Sequence, residues 1–181
     1  MSDEHLKYLS AIDHFDIREI MEQYGEDVWN YAYFLTRKHD WADDISQEVF
    51  IKAYKNIDAF RGQSSLKTWL LKITRNTSFS HRKLAFFRRT VGLDARMLKQ
   101  VQPSAENEYM ERSYSDDIWD KVMQLPGRYR ETLLLNAHYH MSLEEISRHL
   151  NISLGTVKSR LHRARSRLAD LMGRDSNDAA N

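Results

Sequence analysis

The 181-residue chain has no cysteine, which excludes disulfides, thiolate zinc sites and cysteine nucleophiles and fits a reducing compartment. Two prolines and six glycines leave few residues that interrupt helices. No apolar run approaches the roughly 20 residues of a membrane span, and residues 1–12 lack the apolar stretch of a secretory leader. The expectation is a soluble, cytoplasmic protein without membrane insertion. A nucleophile elbow, a P-loop and a His-Glu-x-x-His run are also missing, and His138 and His140, two residues apart, cannot share a helix face. Neither catalysis nor a metal or cofactor is expected. The most informative absence is of acid: residues 61–90 carry eight Lys/Arg and no Asp or Glu.

That basic stretch belongs to a larger pattern that the net charge of +1 conceals. Residues 1–60 sum to −7, residues 91–125 to −3 and residues 126–181 to +3, and within the last stretch residues 155–169 hold five basic side chains and no acid. Such segregation predicts two polyanion-facing surfaces and one acidic surface for a basic partner. Apolar residues recur with a 3.6-residue period throughout, so the chain reads as all-α. Residues 17–89 form a helical bundle, residues 90–115 a flexible linker with Pro103, residues 116–172 a second small helical domain, and residues 173–181 a polar, disordered tail.

In the second domain, Ser142-Leu143-Glu144-Glu145 is a capping box. The helix it opens buries Leu143, Ile146 and Leu150, with small Ser147 where another helix crosses. Asn151 suits a left-handed turn, and a second helix begins near Gly155. This is helix-turn-helix anatomy, whose second helix enters the major groove. On a 100° wheel Val157, Leu161, Ala164 and Leu168 face the core. Ser159, His162, Arg163 and Ser166 lie opposite, toward base edges. Lys158 and Arg165 flank one edge and Arg160 and Arg167 the other, placed for phosphates.

In the first domain, Ile45, Val49, Ala53 and Ile57 stack at i, i+4 on one helix, and Asp44, Gln47, Glu48 and Ile51 fall opposite, a face suited to an arginine-rich helical partner. Residues 58–65 form a loop in which Gly62 permits a sharp turn. A further helix, capped by Ser64 or Ser65, buries Leu66, Trp69, Leu70, Ile73 and Thr77 and presents Lys72, Arg75, Asn76, Phe79 and Lys83. An exposed ring among cations suits single-stranded nucleic acid, whose bases stack while its phosphates follow the charges. Phe60 is either a second stacking platform or a core residue, and Ser64, Ser65 and the loop amides are placed to read an unstacked base.

Three segments resemble the extracytoplasmic-function (ECF) group of bacterial RNA polymerase sigma factors. Residues 43–54, Asp-Asp-Ile-Ser-Gln-Glu-Val-Phe-Ile-Lys-Ala-Tyr, resemble that group's polymerase-binding segment. Residues 60–70, Phe-Arg-Gly-Gln-Ser-Ser-Leu-Lys-Thr-Trp-Leu, resemble its −10-reading loop and following helix. Leu125-Pro126, Tyr129-Arg130, Leu143-Glu144-Glu145-Ile146 and residues 155–165, Gly-Thr-Val-Lys-Ser-Arg-Leu-His-Arg-Ala-Arg, resemble its −35-reading domain. The resemblance implies that Asp44, Gln47, Glu48 and Ile51 dock on core RNA polymerase, mainly the coiled coil of its largest subunit. It implies that Phe60, Arg61, Gly62, Gln63, Ser64 and Ser65, with Lys72, Arg75, Asn76, Phe79 and Lys83, hold a melted −10 element. Thr156, Lys158, Ser159, Arg160, His162, Arg163, Arg165 and Arg167 would sit on the −35 element, and a cognate anti-sigma factor is an expected partner. Family members often carry an acid four residues after the position of Asn76, where this chain has Ser80. The rival reading, a helix-turn-helix regulator acting without polymerase, leaves the Asp44 face and the Phe60 loop without a role.

Overall fold

The computed structural model describes residues 16–90 and 117–178, and every element in them is helical. The chain divides into two compact units, one on each side of residue 100. All but the first residue of the expected linker, Thr90, lies outside the described residues.

The first unit contains α1 (Ile17–Thr36), α2 (His39–Asn56), a 3-10 turn (Ile57–Ala59) and α3 (Leu66–Thr90). Asp16 caps α1, its carboxylate accepting from the Arg18 N–H at 2.8 Å, so one orphan donor of the first turn is satisfied. Arg37 ends the helix in the left-handed region at φ 60°, its N–H bonding the Tyr33 carbonyl, and α2 starts two residues later. Each helix packs on the other two. Their shared core holds Val28 and Ala32 of α1, Ile45, Val49 and Ala53 of α2, and Leu70 of α3, all without exposed surface. The aromatic Trp29, Trp41 and Trp69 pack at its margin. Full burial on α3 reaches further round the helix than the sequence stripe allowed, taking in Leu71, Thr74 and Ser78. The polar members are accommodated because Thr74 and Ser78 donate to the Leu70 and Thr74 carbonyls, at 2.9 and 2.8 Å, so both hydroxyls have a partner.

The second unit contains α4 (Asp117–Gln124), α5 (Gly127–Ala137), α6 (Leu143–Leu150) and α7 (Leu154–Asp178), with α7 packed on the other three. Buried Arg130 donates to the Met123 and Leu125 carbonyls at 2.8 and 3.3 Å, satisfying carbonyls that the end of α4 leaves open. Ser142 and Glu145 form both bonds of the capping box, and Asn151 holds φ 55° and ψ 52°. Ser147 donates to the Ile152 carbonyl at 2.6 Å across that turn. Ser153 caps α7 through the Thr156 N–H at 3.2 Å. One expectation is corrected: α7 continues through Gly173 to Asp178, where the sequence reading placed a disordered tail. Polarity alone does not stop a helix, and no proline follows Met172 to break its hydrogen-bond ladder.

Candidate nucleic-acid interfaces

In the first unit, α2 and α3 turn different faces outward. On α2, Asp44 and Gln47 are exposed, as is Ile51, 54% accessible. Glu48 stands apart from them. Its carboxylate is 2.6 Å from Lys52 Nζ and 2.7 Å from His81 Nε2, and Lys52 donates to Thr77 Oγ1 at 3.1 Å. Glu48 is thus engaged in tying α2 to α3, and the Lys52 ammonium, followed by the His81 ring, holds its carboxyl below the usual range against the opposing effect of burial. Asp43, within the polymerase-binding segment, is likewise engaged inside the unit, accepting from Trp29 Nε1 at 2.6 Å.

The loop before α3 is polar at its surface. Gly62 adopts φ 65°, a conformation that costs a residue with a Cβ, and Arg61, Gln63 and Ser65 are exposed. Ser65 is the α3 cap, its Oγ accepting from the Thr68 N–H at 3.1 Å; Ser64, half-buried, donates instead to the Ser65 carbonyl at 3.2 Å. Of the two roles open to Phe60, the geometry supports the core. Its N–H closes the 3-10 turn on the Ile57 carbonyl, the ring turns inward to lie 5.2 Å from Trp69, and 8% of the residue is exposed. It is a core residue.

Along α3 the anticipated face is present. Lys72 and Arg75 are half-buried, and Asn76, Phe79 and Lys83 are exposed. The Arg75 and Arg82 guanidiniums lie 4.7 and 5.8 Å from the Phe79 ring centre, leaving an aromatic surface bordered by cations. Ser80 donates back to the Asn76 carbonyl at 3.0 Å, so nothing at that position supplies a negative charge. Leu84, Phe86 and Phe87 are exposed beyond it and were not singled out in the sequence, where the presented face ended at Lys83.

In the second unit, Val157, Leu161 and Ala164 of α7 are buried and Leu168 half-buried, as the wheel requires. Lys158, Ser159, His162, Arg163, Arg165, Ser166 and Arg167 are exposed, and Thr156 and Arg160 are half-buried. Ser159 donates to the Thr156 carbonyl at 3.0 Å. Arg165 donates to Asn136 Oδ1 on α5 at 3.0 Å, and the Arg167 guanidinium lies 5.2 Å from the centre of the Tyr129 ring. Ser159, His162, Arg163 and Ser166, the side chains the wheel placed opposite the core, are all exposed. Among the described residues no group of three His, Cys, Asp or Glu is placed to hold a metal, and no helix is long and apolar enough to cross a membrane.

Residues 20–85 match the family model for Sigma-70 region 2 and residues 115–168 that for Sigma-70, region 4. The chain is 31% identical over 179 residues to the ECF RNA polymerase sigma factor SigW of Bacillus subtilis, spanning 93% of this chain and 95% of that protein. The chain belongs to the ECF group of RNA polymerase sigma factors. The same relationship holds to SigM of Bacillus subtilis, at 30% identity over 90% of this chain and 98% of that one. The sigma factor RpoE from Bartonella quintana, solved in complex with the anti-sigma factor NepR, superimposes with a TM-score of 0.66. That match has 26% identity and covers 86% of this chain and 96% of RpoE. As a sigma factor the protein directs transcription initiation, and region 2 and region 4 are the halves in which the α3 face and the α6–α7 helix-turn-helix lie. The rival reading, a regulator acting without polymerase, is not favoured.

Proposed function

We propose that this sigma factor divides its work among three surfaces. The α2 face of Asp44, Gln47 and Ile51 docks on core RNA polymerase, with Glu48 at its border. The α3 face of Lys72, Arg75, Asn76, Phe79 and Lys83, with Arg61, Gln63, Ser64 and Ser65, takes the melted −10 strand. The exposed side of α7 takes the −35 duplex. The working domains are residues 17–89 and 116–172, joined by a linker over residues 90–115. The factor acts in the cytoplasm without chemistry of its own, and an anti-sigma protein restrains it, as the complex of RpoE with NepR suggests.

The observation that carries this reading is the opposition of charge on one small bundle. Asp44 is exposed on α2, while α3 and the loop before it, residues 61–90, contain no acid and expose a ring beneath two guanidiniums. A polyanion is repelled from the first face and drawn to the second, and a basic protein surface shows the reverse preference. Asp44→Lys is expected to abolish co-purification with core polymerase while circular dichroism stays unchanged. Undiminished co-purification removes α2 from the interface. Separately, Phe79→Ala is expected to lower permanganate reactivity of the −10 thymines at saturating core, since stacking on a ring contributes about 1–3 kcal/mol per base.

A further inference from the structure

Tyr129, at the start of α5, lies at the centre of three arginines. The Arg128 and Arg167 guanidiniums stand 4.8 and 5.2 Å from its ring centre. Arg128 donates to its hydroxyl at 3.2 Å, and the Arg163 charge is near enough to the same hydroxyl to lower its pKa. The ring is 3% exposed while all three arginines are exposed. Arg163 and Arg167 are one turn apart on α7 and so lie on the same side of it. Among the described residues no carboxylate pairs with any of the three.

Three cations gathered without a counterion repel one another, and the electron-rich ring and hydroxyl oxygen offset only part of that repulsion. An anion lodged among them reverses the sign of the interaction. Guanidinium N–H groups match the oxygens of a phosphate, to which they bond in pairs. The same charges hold the Tyr129 hydroxyl below its ordinary pKa, Arg163 contributing most.

We propose that Arg128, Arg163 and Arg167, splayed by Tyr129, form a binding site for one backbone phosphate of the DNA lying on α7. The inference rests on the −35 reading and deepens it in two ways. It brings α5 into the interface through Arg128, a residue with no part in the sequence-derived site. It also moves Arg163 from reading a base to clamping a phosphate, which frees base discrimination to Ser159, His162 and Ser166.

The test uses the full chain assembled with core polymerase on promoter duplexes that carry single neutral methylphosphonates across the −35 element. Arg128→Gln is expected to weaken promoter binding about tenfold and to lower the slope of log affinity against log salt by about one, with base preference unchanged. One methylphosphonate position should cost the wild type a similar factor and cost Arg128→Gln nothing more; Arg167→Gln should couple to the same position. Unchanged affinity and slope, or losses that multiply independently at every position, overturn the site. Saturable binding of inorganic phosphate without that coupling assigns the cluster to a free anion and overturns the DNA clamp. Lys158→Gln separates this failure from failure of the −35 reading. If it weakens binding while Arg128→Gln does not, only the clamp falls; if both are silent, α7 is not on the −35 element at all.

Discussion

Replacing Phe60 by alanine separates two roles that the sequence left open. The ring is 8% exposed and packs at 5.2 Å on Trp69, so truncation removes a buried aromatic and one ring pair. Deleting a core phenylalanine costs about 3–5 kcal/mol. Trp69 is itself only partly buried, and a site near the surface relaxes or hydrates more readily, which places the expected loss near the lower end, about 3 kcal/mol. For a unit of this size each kcal/mol lowers the melting temperature by about 4–8 °C, giving a fall of about 12–24 °C. Differential scanning calorimetry of the full chain reads this directly, and the second unit, which does not contain Phe60, provides the control. Melting within about 3 °C of wild type, together with loss of permanganate reactivity at the −10 thymines, would refute the argument and restore Phe60 as a stacking platform.

Three other outcomes follow from local geometry. Ser142→Ala removes one arm of the capping box and is expected to cost the second unit about 1 kcal/mol in urea unfolding; a change below about 0.3 kcal/mol contradicts the cap. At Asn151, held at φ 55°, a valine is expected to cost about 1–2 kcal/mol and a glycine far less, so equal midpoints for the two variants would count against the left-handed turn. Because Glu48 is held below its ordinary value of 4.5, its contribution is fully present above that pH and lost as pH falls through the lowered value. Glu48→Gln should therefore flatten the acid limb of the first unit's stability curve, and parallel curves for the two proteins would show that the Lys52–Glu48–His81 tie contributes nothing.

What the sequence disclosed was local. The i, i+4 run of Ile45, Val49 and Ala53, the Ser142–Glu145 box and Asn151 at its turn each depend on residues within a few positions of one another, and each is found where the spacing put it. What it missed depends on partners far along the chain. Glu48 looks like a free docking carboxylate until His81, 33 residues away, is folded against it. Arg167 sits at the edge of an isolated wheel, and only the packing of α5 on α7 brings the Tyr129 ring to 5.2 Å from its guanidinium. Phe60 stays open between platform and core because the 3-10 turn that points it at Trp69 has no strong sequence signature. A helical wheel assigns a side chain its direction from one helix but cannot say which neighbour will intercept it.

The central claim is that this chain directs core polymerase to promoters with α3 on the −10 element and α7 on the −35 element. Run-off transcription from a genomic promoter library, with purified core polymerase and the full chain, tests it most directly. Discrete start sites preceded by a shared pair of elements are expected, lost with Asp44→Lys and with altered −35 preference when His162 is replaced. Specific binding of the chain alone to duplex DNA, with no start sites when core is added, would contradict it.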